Sequence, residues 1–257
     1  IISGLVGSEM CIRDSQRGPK KSNYAMRKII LLTLLISFSS IAITAEKVEL
    51  LEAPVNLEDK SSLQRGARNF INYCLNCHSA SYMRYNQLQL IGLSSETIKQ
   101  NLLFTADKIG DPMDISMPYE EAKEWFGAAP PNLSVTARSR GADWIYSYLR
   151  GFYRDPTREM GWNNTIYKNS AMPHILWELQ GEQIYNDESL KLVLNKPGSL
   201  SVKEYDQFIG DITNFMVFMS EPNQQKRKQI GYYVLGFLFL LLVLAVNLKR
   251  EFWKDIK

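Results

Sequence analysis

The stretch "INYCLNCHSA", residues 71–80, holds two cysteines separated by two residues, with a histidine directly after the second. Four kinds of site use such a pattern: a zinc site, a thiol redox site, a structural disulfide and a covalent haem attachment site. The spacing alone leaves all four open, because a five-residue pattern can arise by chance. The compartment that the segment reaches, and the supply of other metal ligands, separate these alternatives.

Two apolar segments flank the region that holds this motif. Residues 26–45, "MRKIILLTLLISFSSIAITA", begin with Arg27 and Lys28, continue as an apolar run and finish with small residues. This pattern predicts a signal peptide cleaved after Ala45, although an uncleaved membrane anchor has a similar composition. Residues 1–25 precede the signal-like start and resemble translated adapter sequence, so we expect them to be an upstream translation artefact.

The second apolar segment, "IGYYVLGFLFLLLVLAVNL" at residues 230–248, contains no charged residue. A helix of that length spans about 28 Å, which is enough to cross a hydrocarbon core, so we predict a transmembrane helix. If the signal peptide exports the chain, this helix stops transfer. Residues 46–229 then form an exported domain and residues 249–257 a cytoplasmic tail. The expected location is the bacterial inner membrane, with the domain on the periplasmic side.

Charge is segregated along the chain. Residues 46–225 carry 17 Lys/Arg and 23 Asp/Glu, a net charge of −6, whereas residues 226–257 carry a net charge of +5. An acidic folded region argues against nucleic acid binding, which needs a basic face. It favours a basic protein partner, and basic residues beside an apolar helix suit contact with membrane lipid.

Export of the domain narrows the reading of the cysteine motif. Cys74 and Cys77 are then its cysteines, because Cys11 lies in the upstream segment, and the histidines of the chain are His78 and His174. This set is small for a zinc site, the flanking sequence lacks the βαβ setting of a thioredoxin-type site, and a disulfide closing so short a loop adds little stability. The motif therefore favours one covalently attached haem c, with Cys74 and Cys77 bound to the vinyl groups and His78 bound to the iron.

A haem used for electron transfer normally keeps a second axial ligand, and methionine in that position raises the potential. Met172 lies in a segment rich in Asn, Gly and Ser and precedes Pro173, which favours an extended backbone and a projecting thioether. Met117 also precedes a proline and is a rival. His174 is a further alternative, and residue pattern favours Met172 over it only modestly. Two other methionines fit the apolar face of a helix and are expected to lie in the core: Met216 and Met219.

The coarse secondary structure predicted for the domain is helical. Helices are expected at residues 61–73, 94–103, 118–126, 141–152 and from about 200 to near Pro222. The last of these starts at a capping-box pattern, Ser201 to Glu204. No long alternating strand pattern is evident. The expected fold is an all-α cytochrome c-type haem domain with loop insertions, plus one C-terminal transmembrane helix.

Four separated features resemble the cytochrome c1 family, the haem subunits of ubiquinol–cytochrome c oxidoreductase (bc1) complexes. They are "RGARNFINYCLNCHSASYMRYNQL" (65–88), "GAAPPNLSVTARSRGADWIYSYLRGFY" (127–153), "NSAMPHILWELQG" (169–181) and the terminal apolar helix. The resemblance runs from about residue 46 to the C-terminus. It implies Cys74 and Cys77 as attachment points, His78 and Met172 as axial ligands, and Arg138 beside a haem propionate.

The same resemblance gives a functional interpretation to further residues that also have an ordinary structural one. Pro130 and Pro131 fix a loop against the haem or form a plain rigid turn, and Trp144 stands where some family members have tyrosine. Two acidic groups are either solvated faces or a surface that steers a basic cytochrome c: Glu120, Glu121 and Glu124, and Glu182, Asp187 and Glu188.

The function implied by the resemblance is a one-electron relay. The chain takes electrons from the Rieske iron–sulfur protein and passes them to a soluble or anchored cytochrome c, in a membrane complex with cytochrome b. Catalysis and proton translocation belong to the whole complex. Two alternatives stay open: a membrane-anchored cytochrome c that feeds a terminal oxidase directly, and a haem enzyme or sensor with an open sixth position.

Overall fold

The computed structural model describes residues 49–186, 189 and 191–254. Four sequence predictions lie wholly or partly outside these residues: the upstream artefact, the signal peptide, the acidic pair Asp187 and Glu188, and the end of the cytoplasmic tail. The cysteine motif, the candidate methionines and the terminal apolar helix all lie inside them.

Helices dominate the part of the chain that the structure describes. They are α1 (Lys60–Tyr73), α2 (Ser95–Asn101), α3 (Tyr119–Phe126), α4 (Thr136–Arg140), α5 (Ala142–Arg150), α6 (Trp177–Gln180), α7 (Val202–Ser220) and α8 (Gln224–Phe252), with a 3₁₀ helix at Tyr85–Ile91. Six strands form three separate antiparallel pairs: β1 (Ala80–Arg84) with β2 (Pro112–Met113), β3 (Phe152–Arg154) with β4 (Trp162–Asn164), and β5 (Gly181–Asn186) with β6 (Lys191–Pro197).

The strands correct the all-α prediction. All five predicted helices of the domain are present, as α1, α2, α3, α5 and α7, but the strand pairs were missed. Four of the six strands have five residues or fewer, which is too short for a clear alternating pattern. The longest pair, β5 and β6, runs from Gly181 opposite Pro197 to Asn186 opposite Lys191. The domain is therefore mainly helical, with small sheets within its loop insertions.

Helices α1 and α7 make the closest packing in the core. A Cβ atom at Gly66 would lie 2.0 Å from the backbone oxygen of Asp211 and 2.7 Å from Cβ of Phe215, so glycine is required for this approach. One turn further along α1, the rings of Phe70 and Phe215 lie 5.5 Å apart. The end of α1, which leads directly into the cysteine motif, is thus held by α7.

A buried carboxylate strengthens the same interface. Asp211 of α7 accepts hydrogen bonds from Ser62 Oγ at 2.6 Å and from Arg65 Nε at 2.7 Å. Asn214, one turn later, donates to Ser62 Oγ and to the backbone oxygen of Asn56, at 3.1 and 2.8 Å. Because the carboxylate is paired and hydrogen-bonded, its burial does not leave an uncompensated charge.

The N-terminus of α7 confirms the predicted capping box. Ser201 accepts from the backbone N–H of Glu204, and the Glu204 carboxylate accepts in return from the backbone N–H of Ser201 at 2.9 Å. Met216 and Met219, on the same helix, are buried in the core as predicted.

The terminal helix α8 is 29 residues long and extends beyond the predicted span at both ends. Its most apolar stretch has a mean hydropathy of 2.2, and none of that stretch is buried within the protein. Within residues 49–254, as far as they are described, it is the one helix long and apolar enough to cross a membrane. These properties fit the predicted transmembrane anchor.

Candidate haem site

The cysteine motif forms one helical turn that continues α1. The backbone N–H of Cys74 donates to Phe70, and those of Cys77 and His78 both donate to the Cys74 oxygen, at 3.2 and 2.9 Å. Residues three and four positions after Cys74 therefore lie on one side of the turn. Both thiols are free. The structure thus brings together the three residues that the sequence assigns to haem attachment.

His78 is held in one tautomer by a residue that the sequence did not identify. The imidazole is buried, and its Nδ1 lies 2.8 Å from the backbone oxygen of Pro131. Since a carbonyl only accepts, Nδ1 carries the proton, and Nε2 keeps a lone pair for a metal. Burial lowers the pKa of His78, against the opposing effect of the hydrogen bond to Pro131. A neutral imidazole is the form that ligates iron.

The loop after the proline pair lies against the cysteine motif. Leu133 donates its backbone N–H to Ser79 at 2.8 Å, and Tyr82 donates its own to Ser134 Oγ at 3.0 Å. These bonds place the carbonyl of Pro131 beside His78. The sequence marked the prolines as a loop, but nothing in it showed which backbone oxygen would face the imidazole.

The state of the thiols fits thioether attachment better than a zinc or redox site. Burial raises the pKa of Cys74 to about 12, and the nearby Cys77 adds to this effect. Redox-active thiols show the opposite behaviour, since they work as thiolates with a lowered pKa. No group of three or more His, Cys, Asp or Glu residues able to hold a metal ion occurs among the described residues.

The candidate methionines differ in how deeply they are buried. Four are buried in the hydrophobic core: Met83, Met113, Met216 and Met219. Met160 is exposed, whereas Met117 and Met172 are half-buried. The two methionines that precede a proline are therefore the ones with a partly accessible thioether outside the core.

Met172 contacts two hydroxyl groups, and the nearby His174 lies among aromatic rings. Tyr148 on α5 places its hydroxyl 3.5 Å from Sδ of Met172 and 2.8 Å from Oγ of Ser170. His174 is buried, with its ring stacked on Phe152 at 4.8 Å. Burial lowers the pKa of His174 to about 4, so its ring is neutral. Its Nε2 has no hydrogen-bond partner among the described residues, which keeps His174 as a rival ligand.

The two arginines of α4 have different contacts in the structure. Arg138 is exposed and interacts electrostatically with Glu221, at the junction of α7 and α8. The guanidinium of Arg140 instead lies 5.3 Å from the centre of the Trp144 ring. Trp144 in turn stacks on Tyr148, with ring centres 5.0 Å apart. Arg140, which the sequence did not single out, therefore belongs to the cluster that contacts Met172.

Together these residues fit a covalently bound haem c. The motif supplies two free thiols and an imidazole with a free Nε2 on one turn. Met172 supplies a thioether on a half-buried side chain, and Arg140 supplies a cation beside Trp144, which stacks on the Tyr148 ring that contacts Met172.

Comparison with known proteins identifies the family of the chain. The model of the "Cytochrome C1 family" matches residues 51–256. The chain is 44% identical to "Cytochrome c1" of Allochromatium vinosum, over 90% of this chain and all of that protein. It is 46% identical to a Nitrosomonas europaea protein named "Ammonia monooxygenase gamma subunit", over 90% of this chain and 99% of that protein.

A solved structure, "Hyperthermophilic respiratory Complex III", is a more distant likeness. The match has 14% identity and a TM-score of 0.42, and it covers 91% of this chain and all of the other. The assignment of the family rests instead on the family model and on the cytochrome c1 of Allochromatium vinosum. The chain belongs to the cytochrome c1 family.

Proposed function

We propose that this chain takes one electron at a time from the Rieske iron–sulfur protein and passes it to a cytochrome c. Its membership of the cytochrome c1 family makes it a membrane-anchored electron-transfer subunit of a bc1 complex, with covalently bound haem c. The proposal adds the two partners of the relay, the residues that hold the haem and the side of the membrane on which they lie.

The single observation that carries this proposal is the turn of Cys74, Cys77 and His78. Two thiols on one turn match the two vinyl groups of one porphyrin, and the bond from His78 to Pro131 directs Nε2 towards a metal. When bound, haem c supplies a one-electron iron couple. The protein contributes attachment, axial ligation and the charges around the haem, which together set the potential.

Met172 is proposed as the second axial ligand. Its thioether is half-buried and its sulfur accepts a hydrogen bond, so it is held in place and is not a free surface chain. Met117 and His174 are the alternatives. A six-coordinate site of this kind suits an electron relay, because neither axial position is open to a substrate.

The arginine that neutralises a haem propionate is proposed to be one of two. The family resemblance implies Arg138, whereas the contact between Arg140 and Trp144 favours Arg140. At an effective dielectric constant near 20, a unit charge about 10 Å from the haem iron would have an electrostatic interaction energy of roughly 1.7 kcal/mol with the electron on the iron. Removing a cation disfavours the reduced state, so we expect Arg140→Gln to lower the midpoint potential by roughly 50 mV after screening.

Redox titration of the full chain in detergent measures this shift. Arg138→Gln is the matched control and should produce a smaller fall, because Arg138, which is exposed like Arg140, interacts with Glu221 and not with the Trp144 ring. A larger fall in the midpoint potential in Arg138→Gln than in Arg140→Gln would assign the propionate contact to Arg138.

The acceptor is proposed to be a basic cytochrome c. Glu120, Glu121 and Glu124 are exposed on α3, and the domain as a whole is acidic. Opposite charge on two proteins speeds their encounter more than it adds to their affinity. The other predicted acidic group has only Glu182 among the described residues, where it pairs with Arg154 at 3.0 Å and is less available for a partner.

The membrane topology is proposed from the chain order. Residues 1–25 would be artefactual and residues 26–45 a cleaved signal. Residues 46–229 would then form the periplasmic domain of a bacterial inner-membrane protein, with residues 230–248 crossing the bilayer and 249–257 in the cytoplasm. The apolar helix α8 supports the anchor, and basic residues flank it on both sides.

Gentle solubilisation followed by affinity purification of the full chain tests the proposed complex. We expect a b-type cytochrome and a Rieske protein to co-purify, and the haem of this chain to be reduced on addition of a quinol. Washing with high salt should remove a soluble cytochrome c but not these partners, since exposed ion pairs are screened. Recovery with a terminal oxidase, or with the subunits of an ammonia monooxygenase, would contradict the proposal.

A further inference from the structure

Two hydrogen bonds join Met172 to Tyr148 and Ser170, and a third joins those two residues to each other. Its sulfur lies 3.5 Å from the hydroxyl of Tyr148, its backbone N–H donates to Oγ of Ser170 at 3.3 Å, and the two hydroxyls are 2.8 Å apart. Tyr148 belongs to α5, 24 positions before Met172. The loop with the proposed ligand is therefore tied to a rigid helix at the sulfur atom itself.

The available protons allow these bonds to close into a ring. The N–H of Met172 donates to Ser170 Oγ, which leaves the hydroxyl proton of Ser170 free to donate to Tyr148. The phenol proton of Tyr148 then has the sulfur of Met172 as its acceptor. Each group donates once, and each hydroxyl oxygen accepts once. The ring needs no water and no ionised side chain.

Packing fixes the position of the Tyr148 ring independently of these bonds. The ring stacks on Trp144 with an interplanar angle of 6° and meets the Phe152 ring edge-on at 5.1 Å. The backbone oxygen of Tyr148 accepts from Asn164 Nδ2 at 2.8 Å. The hydroxyl is thus presented to the sulfur by a side chain whose ring contacts two other aromatic rings.

We propose that Tyr148 is a positioning residue that raises the haem potential through the sulfur of Met172. A thioether sulfur has two lone pairs, so one can bind iron while the other accepts a hydrogen bond from the phenol. This hydrogen bond draws electron density from the sulfur and makes the sulfur a weaker donor to iron. A weaker donor favours the reduced state of the haem. The inference rests on the proposed function, because it takes Met172 as the axial ligand.

The test is Tyr148→Phe in the full chain, which keeps the ring contacts and removes only the hydroxyl. We expect the midpoint potential to fall, so that the ratio of reduced to oxidised haem at a fixed ambient potential drops about threefold, or ~28 mV at 59 mV per tenfold change. Methionine ligation should persist, seen as retention of the sulfur-to-iron charge-transfer band and no carbon monoxide binding at neutral pH.

Two further variants keep the inference open to refutation. Ser170→Ala should lower the potential by a smaller amount, because Tyr148 keeps its own proton but loses the donor that orients it. Tyr146→Phe is the matched control, since Tyr146 lies on the same helix but hydrogen-bonds to Arg150. A potential unchanged in Tyr148→Phe, or lowered equally in Tyr146→Phe, would overturn the role of Tyr148.

A spectroscopic readout does not depend on the potential. In the reduced, diamagnetic protein, the phenol proton of Tyr148 should give a slowly exchanging resonance that disappears in Tyr148→Phe. Failure of the inference is distinguishable from failure of the proposed function. The first appears as a wild-type potential in Tyr148→Phe, and the second as a wild-type haem spectrum in Met172→Leu.

Discussion

Replacing both Cys74 and Cys77 with alanine is expected to abolish covalent haem attachment. The two thiols lie on one turn, and each would supply one thioether bond, so the double variant retains no covalent link. The axial ligands alone cannot hold haem once the protein is denatured. The measurement is a haem-specific stain of a denaturing gel together with the intact mass of the chain. Each single variant should keep one thioether bond and therefore some stain.

The control for this experiment lies between the two cysteines. Asn76 is exposed, and its side-chain amide donates to the Asn72 backbone oxygen at 2.8 Å, so Asn76→Ala alters the turn without touching a thiol. It should retain full covalent haem. Haem that remained covalently bound to the double variant would remove both cysteines from the proposed site. Loss of haem in Asn76→Ala to the same extent would point to misfolding of the turn.

Replacing Met172 with leucine is expected to open the sixth coordination position. Leucine is close to methionine in volume, so packing is largely kept while the sulfur donor is lost. Carbon monoxide should then bind the reduced protein at neutral pH. The midpoint potential should fall by on the order of 100 mV, because the identity of the axial ligands spans about 0.8 V among haem proteins.

Absorption spectroscopy and redox titration follow both effects, and the two rivals provide the comparison. Met117→Leu should retain the wild-type spectrum, because Met117 is the half-buried methionine that we do not assign to iron. His174→Phe should retain axial ligation although it disturbs the stack with Phe152. A wild-type spectrum in Met172→Leu, with carbon monoxide binding in either rival variant, would move the axial ligand to that rival.

Local features account for what could be predicted from the amino-acid order. The helices follow from apolar spacing, and the start of α7 follows from the pair Ser201 and Glu204, three residues apart. The cysteine motif carries its own geometry, because residues three and four positions apart on a helical turn share one side. The family resemblance came from four segments in a fixed order.

The strand pairs show where such prediction stops. Strands β3 and β4 have three residues each, and their pairing depends on hydrogen bonds across a loop. A short strand carries no periodic pattern of its own. It is stabilised by a partner strand and by packing against the domain, so its presence depends on tertiary structure.

The sequence by itself predicted the cofactor, the attachment residues and the membrane helix, because each prediction depends on residues close together in the chain. Only the tertiary structure decided which atoms surround those residues. The carbonyl that fixes His78 comes from Pro131, 53 positions away, and the hydroxyl that meets Met172 comes from Tyr148 on another element. It also distinguished Arg140 from Arg138, which are two positions apart and indistinguishable in type. The residue type determines which chemical group is present, but the orientation of that group and its distance from its partners are set only when distant segments of the chain pack together.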